Sequence, residues 1–468
     1  MLTCLNLQAV QMNQQTLNKT EKRASVALAS VFGIRMLGLF LIMPVLAIYA
    51  REYPDYSALL MGITLGAYGL TQALLQIPLG MLSDRVGRRP IIIGGLCVFI
   101  IGSVVAAMAD SLWMVAVGRA IQGLGAIAAA ILAMAADVSR EQQRTKVMAI
   151  IGMCIGLAFA LAMVAGPLLG SWLGLSGLFW FTAASGVVGI IVLVVSVPRV
   201  TTRSARREAL PVASELKGLL KNGQLWQLNL GVFVLHAVLT AWFITLPTQL
   251  QNAGFDTATH AWFYLPTLLL SIAVMVPMII RSSRTDNQVF WFRIALVMLI
   301  VAIALADFVA VGMAGLALAL VVFFSGFNYL EASLPSLLTR IAPAGSKGSA
   351  SGLYATCQFL GAFIGGAGGG WFLQQFQLAG LGIASLVLLC FWLLFTVAMK
   401  NPKPVTNVAI SLQHIEALSV IKELNEQLLS VAGVEEVRYA EDDKISYLKV
   451  DKKRYDEETV QGLLQQYK

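Results

Sequence analysis

The chain has 468 residues, 58% of them hydrophobic and 12% charged, with a mean hydropathy of +0.76. A soluble chain of this length would divide into about three domains, but so apolar a composition excludes that class and implies a polytopic membrane protein. The net charge of +8 does not indicate a nucleic-acid partner: residues 404–468 carry 8 Lys+Arg against 12 Asp+Glu, a balance of −4, and residues 1–403 carry 25 against 13, a balance of +12. The basic excess belongs to the apolar part, in short loops where positive charge sets topology rather than gripping phosphate.

Residues 1–23 are polar and lead into an apolar run interrupted by Arg35, which argues against a cleaved signal peptide. Met12 precedes a polar leader of ordinary length, so residues 1–11 are read as an overlong start. A hydrocarbon core takes about 20 apolar residues per helix, and the chain offers twelve such runs. They lie near 24–50, 57–82, 90–109, 111–136, 145–170, 176–197, 225–250, 262–280, 289–308, 313–338, 350–374 and 380–399. Alternate loops place 21 Lys and Arg on one side against Arg51 alone on the other. A missed or invented helix would scramble that asymmetry, so it implies twelve spans with both chain ends cytoplasmic.

The chain repeats itself at about 200 residues, the interval that an inherited pair of six-helix halves would leave. Phe40-x-x-x-Pro44 in the first span recurs as Phe243-x-x-x-Pro247 in the seventh, and Gln76-Ile77-Pro78-Leu79 recurs as Met275-Val276-Pro277-Met278. The predicted plan is a tail over 1–23, a six-helix half over 24–197, a cytoplasmic linker over 198–224, a second half over 225–400 and a small domain over 405–468. Two such halves form a transporter architecture with the solute path at their interface.

Between the second and third spans lies Gly80-Met81-Leu82-Ser83-Asp84-Arg85-Val86-Gly87-Arg88-Arg89-Pro90. Its glycines allow a tight turn, Pro90 suits the first turn of the next helix and its arginines mark a cytoplasmic face. This loop resembles the signature of the major facilitator superfamily at every fixed position; the plainer alternative is a basic turn that only orients the chain. The second copy has decayed to Arg281-Ser282-Ser283-Arg284, with Ser283 where the first has Asp84. The resemblance places the loop beside the start of the eleventh span, Lys347-Gly348-Ser349-Ala350, and makes Gly80, Asp84, Gly87, Arg88 and Asp137 a conformational latch.

Ionisable groups within spans cost roughly 2.5–3.5 kcal/mol on insertion scales and face the bundle interior. Arg35, Arg119, His236 and Glu331 are the candidates for a proton path, whereas Asp307 is read as interfacial. The alternative for each is a polar residue that only stabilises helix packing. Arg119 opens Arg119-Ala120-Ile121-Gln122-Gly123, similar to the superfamily's fourth-helix motif, which implies proton coupling. An arginine stays protonated, so its part is to tune or compete with a carboxylate, and Glu331 is the only carboxylate deep in a span. Gly152-x-x-x-Gly156 leads to Gly166-Pro167-Leu168-Leu169-Gly170, resembling the antiporter motif in part, with Ala162 and Ser171 where that motif has glycine. Gly361, Gly365 and Gly369 give the eleventh span a smooth face. Close packing is the alternative reading of all these glycines.

The five cysteines, Cys4, Cys97, Cys154, Cys357 and Cys390, form no disulfide framework or CxxC pair. No catalytic triad or phosphate-binding loop appears, which argues against an enzyme or an ATP-driven pump; no cofactor and no metal are expected. After residue 404 the pattern reads strand 405–412, helix 416–431, hairpin 433–440 with 444–450, and helix 456–466. That order resembles the ferredoxin-like fold of heavy-metal-associated domains, but Gln413-His414-Ile415-Glu416 stands where their CxxC would be, so the metal function does not carry over. The predicted fold class is thus an all-α polytopic membrane protein of twelve transmembrane helices in two pseudo-symmetric halves, with a small α+β domain. The extra domain places the resemblance with the drug:proton antiporter-type branch of the bacterial inner membrane. That implies proton-driven export of a small organic or amphipathic solute by alternating access. Solute, proton and membrane lipid are the expected partners, with self-association or regulation through 405–468. Proton-coupled nutrient symport and a transporter-like sensor are the alternatives.

Overall fold

The computed structural model describes residues 17–467 apart from 140–142, 199–217, 286, 310–311, 345, 400, 402–404, 413–414, 416, 441–443 and 452–453. Among the described residues, ten helices are long and apolar enough to cross a membrane. Two of these contain a backbone reversal, at Gly174 (φ 64°) within Arg144–Ser196 and at Gln377 (φ 58°) within Lys347–Phe395. Each is therefore two spans, and the sequence's twelve are recovered.

In chain order, α1 is Lys19–Phe40 continued by Met43–Tyr49, the break preceding Pro44 at the first turn of the second piece. α2 is Ala58–Val86, α3 is Arg88–Ala107, and α4 is Leu112–Leu124 continued by Ala128–Asp137. α5 and α6 occupy 144–173 and 175–196. α7 is Gly223–Asn252, α8 is His260–Arg284, α9 is Gln288–Ala304 ending in a π turn over Leu305–Val309, and α10 is Met313–Ile341. α11 and α12 occupy 347–376 and 378–395.

Close approach of α11 to its neighbours needs its glycines. A Cβ on Gly361 or Gly365 would lie 2.2 Å from Phe233 O or 2.1 Å from Ala237 O, both on α7. On its other side, a Cβ on Gly366 or Gly370 would lie 2.5 Å from Gly62 O or 2.3 Å from Ala58 O, across the seam on α2. α11 thus meets one helix of each half backbone to backbone, the contact that small residues permit where lipid supplies no hydrophobic drive.

Contacts between the halves concentrate on the face that bears Arg51. There Arg51 Nη2 donates to Thr248 Oγ1 at 3.3 Å, and Leu59 N donates to Gln374 Oε1 at 3.1 Å. One apolar cluster joins Ile42, Val45, Leu46 and Leu60 of the first half to Trp242, Phe243 and Phe263 of the second. Toward the basic face, the cluster of Leu28, Phe32, Ile92, Ile131, Val147 and Leu193 is built from the first half, with Phe359 of α11 against it. On that face Arg89 Nη2 and Arg23 Nη2 donate to the carbonyls of Val194 and Val195 at 2.8 and 3.0 Å. Cations at the carbonyl end of α6 complement its dipole.

The C-terminal domain contains β1 (Val405–Ser411), α13 (Leu418–Ser430), β2 (Val434–Ala440), β3 (Ile445–Asp451) and α14 (Glu457–Gln466). Its antiparallel sheet has the order β1-β3-β2, consistent with a ferredoxin-like domain, over a core of Leu424, Leu428, Leu448 and Val450. Gln413, His414 and Glu416 lie outside the described residues. The domain sits on the segment between α10 and α11, where Ala344 is buried with Ala440, Ile445 and Tyr447. Lys449 Nζ donates to the carbonyls of Ile341 and Ala342 at 3.3 and 3.2 Å, and the Arg438 guanidinium donates to Ser346 Oγ. Although the domain's balance is −4, two of its cations make these contacts, because the carbonyl end of α10 selects positive charge locally. Burial lowers the Lys449 ammonium from its ordinary range, opposed by Glu436. A cysteine pair placed at Ala344 and Ile445 is expected to cross-link readily. Combining Lys449→Gln with Arg438→Gln should slow that cross-linking about thirtyfold, the effect of losing two polar contacts worth about 1 kcal/mol each.

Candidate functional site

The charged loop forms a chain of three side chains within the first half. Gly87, at φ 113°, turns α2 into α3 and so brings the first residue of α3 back over the last turn of α2. Arg88 Nη1 then lies 2.5 Å from Asp84 Oδ1 and 3.1 Å from Ser83 Oγ, while Arg88 Nε lies 3.3 Å from Asp137 Oδ2 at the end of α4. Ser83 Oγ donates in turn to Gly80 O at 2.6 Å. Asp84 is 40% exposed, Arg88 8% and Asp137 4%, so one end of the chain is wet and the other is dry. The sequence anticipated the Asp84–Arg88–Asp137 chain and missed Ser83.

The four ionisable groups within spans do not form one path. Arg35 and Arg119 both lie over the Tyr68 ring, their Cζ atoms 5.6 and 5.3 Å from its centroid. Arg35 Nη2 donates to Gln72 Oε1 at 2.7 Å and to Gly125 O at 2.9 Å, and Gln72 Nε2 donates to Gln76 Oε1 at 3.0 Å. Arg119 Nη1 donates to Gln122 Oε1 at 3.0 Å, and Gln122 Nε2 donates to Ser103 Oγ at 2.8 Å. The described hydrogen-bond partner of Arg119 is thus a neutral amide. Gly123 allows this approach, since a Cβ there would lie 2.3 Å from Tyr68 O.

His236 and Glu331 form the second group, joined by Gln358 of α11. Gln358 Nε2 lies 2.8 Å from His236 Nε2 and donates to Glu331 Oε1 at 3.2 Å, while His236 Nε2 is 3.7 Å from Glu331 Oε2. His236 Nδ1 lies 3.2 Å from Val232 O. One tautomer satisfies all of this: Nδ1–H donates to that carbonyl and Nε2 accepts from Gln358. Glu331 Oε2 is buried without a hydrogen-bond partner. Phe327 stands 5.9 Å from the His236 ring and 6.4 Å from Phe159 of the first half, and Phe159 also meets Phe40 at 5.2 Å and Phe324 at 6.1 Å. A carboxylate, an imidazole and four phenyl rings drawn from α1, α5, α7 and α10 thus converge where the halves meet.

Gly166 and Pro167 are buried where α5 crosses the break in α1, a Cβ on Gly166 falling 2.6 Å from Leu41 O and 3.0 Å from Pro44. Asp307, read as interfacial, lies in the π turn that ends α9. Gln249 Nε2 donates to its Oδ1 at 2.9 Å, and its Oδ2 would be 2.9 Å from a Cβ on Gly382. The turn folds this carboxylate back between α7 and α12, which a count of residues from the span end does not show.

The family model described as Major Facilitator Superfamily matches residues 28–366. The chain belongs to the major facilitator superfamily. The inner membrane transport protein YajR of Escherichia coli (strain K12) is 42% identical to it over 444 residues, which is 94% of this chain and 97% of that one. The multidrug resistance protein MdtH of Aeromonas hydrophila is 26% identical over 378 residues, covering 76% and 92%. Among solved structures, the inward-facing, occupied form of a bacterial homologue of the human lysosomal transporter Spinster aligns with a TM-score of 0.67. It is 16% identical over 82% of this chain and 97% of its own, a likeness of fold. Major facilitator proteins are membrane transporters, and this chain is one of them.

Proposed function

We propose that this major facilitator protein is a proton-coupled antiporter that exports a small organic or amphipathic solute across the bacterial inner membrane. The observation that carries the reading is the Glu331–Gln358–His236 group beside phenyl rings contributed by both halves. An ionised carboxylate only accepts hydrogen bonds, and Glu331 Oε2 has no donor. A proton on that oxygen makes it a donor facing His236; loss of the proton leaves a charge that the next solute or water must satisfy. Gln358 ties this carboxyl group to α11, because its amide nitrogen serves Glu331 Oε1 while α11 lies tight against both α7 and α2. Phe40, Phe159, Phe324 and Phe327 supply the apolar and aromatic walls that small-molecule sites use to hold a flat or amphipathic body.

With the basic face taken as cytoplasmic, the contacts at Arg51, Leu59 and Thr248 close the outer side, and the arrangement is inward-facing. Resemblance to efflux relatives supports export as the direction. The test is proton movement in vesicles of reconstituted protein with an imposed pH gradient. Aromatic amphiphiles drawn from a panel should dissipate the gradient in a protein-dependent way, and the same compounds should accumulate when the gradient is imposed. Accumulation without proton movement, or movement of protons in the same direction as solute, would overturn antiport.

A further inference from the structure

Within its spans the first half buries the guanidiniums of Arg35 and Arg119, and the described residues bring no carboxylate to them. Its acids within the described residues are Glu21, Glu52, Asp55, Asp84, Asp110 and Asp137, which lie in loops or in the end turns of helices. Among the described residues, every hydrogen-bond partner of Arg35 and Arg119 is a neutral oxygen, on Gln72, Gly125 and Gln122. By distance and angle, four buried polar atoms around one ring make no hydrogen bond, Arg35 Nε, Arg35 Nη1, Arg119 Nε and Tyr68 Oη, although the Arg35 guanidinium and the Tyr68 hydroxyl lie close enough to stabilise one another. Both guanidiniums remain charged under all ordinary conditions. Ring faces and amide oxygens offset part of the cost of burying them, but two like charges sharing one tyrosine repel each other. The group that satisfies the open donors and the charge together is a compact anion.

We propose that Arg35, Arg119 and Tyr68 form a membrane-embedded site for a compact monovalent anion, either an inorganic halide or the carboxylate group of a solute. The guanidiniums supply charge-assisted hydrogen bonds from Nε and Nη1, and the phenol supplies a neutral donor. The anion enters from the seam, where the Tyr68 ring meets Phe359 of α11 at 6.3 Å. The site is independent of the antiport reading: it lies in the other half from Glu331 and needs no proton gradient.

The test uses full-length protein in neutral detergent, with gluconate as the bulk anion and ionic strength held constant. Thermal stability is followed while gluconate is replaced by bromide or, in a separate series, by benzoate. Saturable stabilisation of the wild type is expected with at least one of them. Bromide alone identifies a resident inorganic anion; benzoate that competes with bromide identifies a carboxylate subsite. Arg119→Gln should weaken the response about tenfold or more, as loss of a charge-assisted hydrogen bond implies. Tyr68→Phe keeps the ring between the guanidiniums and removes only the hydroxyl, so it should also weaken binding if Arg119→Gln fails to fold. No saturable response in the wild type, or equal affinity in wild type and Tyr68→Phe together with Arg119→Lys, overturns the site.

Discussion

Glu331→Gln is expected to lower proton-coupled flux at least ~100-fold, equivalent to about 2.7 kcal/mol at the limiting step, in protein that remains folded and inserted. Glutamine keeps the volume and the Oε1 acceptor that Gln358 Nε2 uses at 3.2 Å, so the helix contacts of α7, α10 and α11 are retained. What it removes is the exchange of a proton at Oε2. Solute exchange between equal concentrations on both sides needs no net proton movement, so counterflow should survive while gradient-driven accumulation is lost. A packing role predicts the opposite pattern, since an isosteric neutral side chain would then leave coupled flux at the wild-type rate. His236→Gln should reduce flux less, because His236 meets the carboxylate at 3.7 Å and through Gln358.

How much of this was legible follows from what each signal depends on. The twelve spans were readable because length and apolarity are local properties, and the Lys/Arg asymmetry checks their number independently. The reversals at Gly174 and Gln377, which separate α5 from α6 and α11 from α12, add nothing that the count had missed. Asp84, Arg88 and Asp137 were readable because the loop motif fixes two of them and the end of α4 the third. Gln358, Gln72 and Tyr68 were not, although each stands in an otherwise apolar run. A search for costly charges passes over neutral side chains, and a glutamine becomes important only through what another helix brings to it. The separation of Arg35 and Arg119 from Glu331 was hidden for the same reason: residues on different spans share no linear spacing. Net charge likewise does not show where the cations of the C-terminal domain go, because Lys449 and Arg438 respond to particular carbonyl and hydroxyl oxygens rather than to the average field.

The second large effect is expected at Asp84, and it separates folding from switching. Asp84 is 40% exposed, and an exposed ion pair contributes about 0–1 kcal/mol. Asp84→Asn should therefore leave unfolding in mixed micelles nearly unchanged. Arg88→Met removes a cation held beside Asp137, which is 4% exposed, and breaking a buried pair costs about 3 kcal/mol or more, so this variant should be clearly destabilised. Any large loss of transport in Asp84→Asn then does not arise from unfolding. We propose that, when the cytoplasmic side closes, Asp84 meets the first turn of α11, Lys347-Gly348-Ser349-Ala350. The positive end of the helix dipole there stabilises a carboxylate by about 0.3–1 kcal/mol when exposed and up to about 2 when partly buried. Opening that side separates the seam and loses the contact, whereas the chain to Arg88 and Asp137 lies within one half and persists. Removing the charge should thus shift the population toward the inward-facing arrangement by about 1.7-fold to thirtyfold, as about 0.3–2 kcal/mol implies. The shift is measured as faster labelling of cysteines placed on the cytoplasmic seam of α2 and α11, in protein otherwise free of cysteine. Lost transport with unchanged labelling would assign Asp84 to solute passage and end the latch.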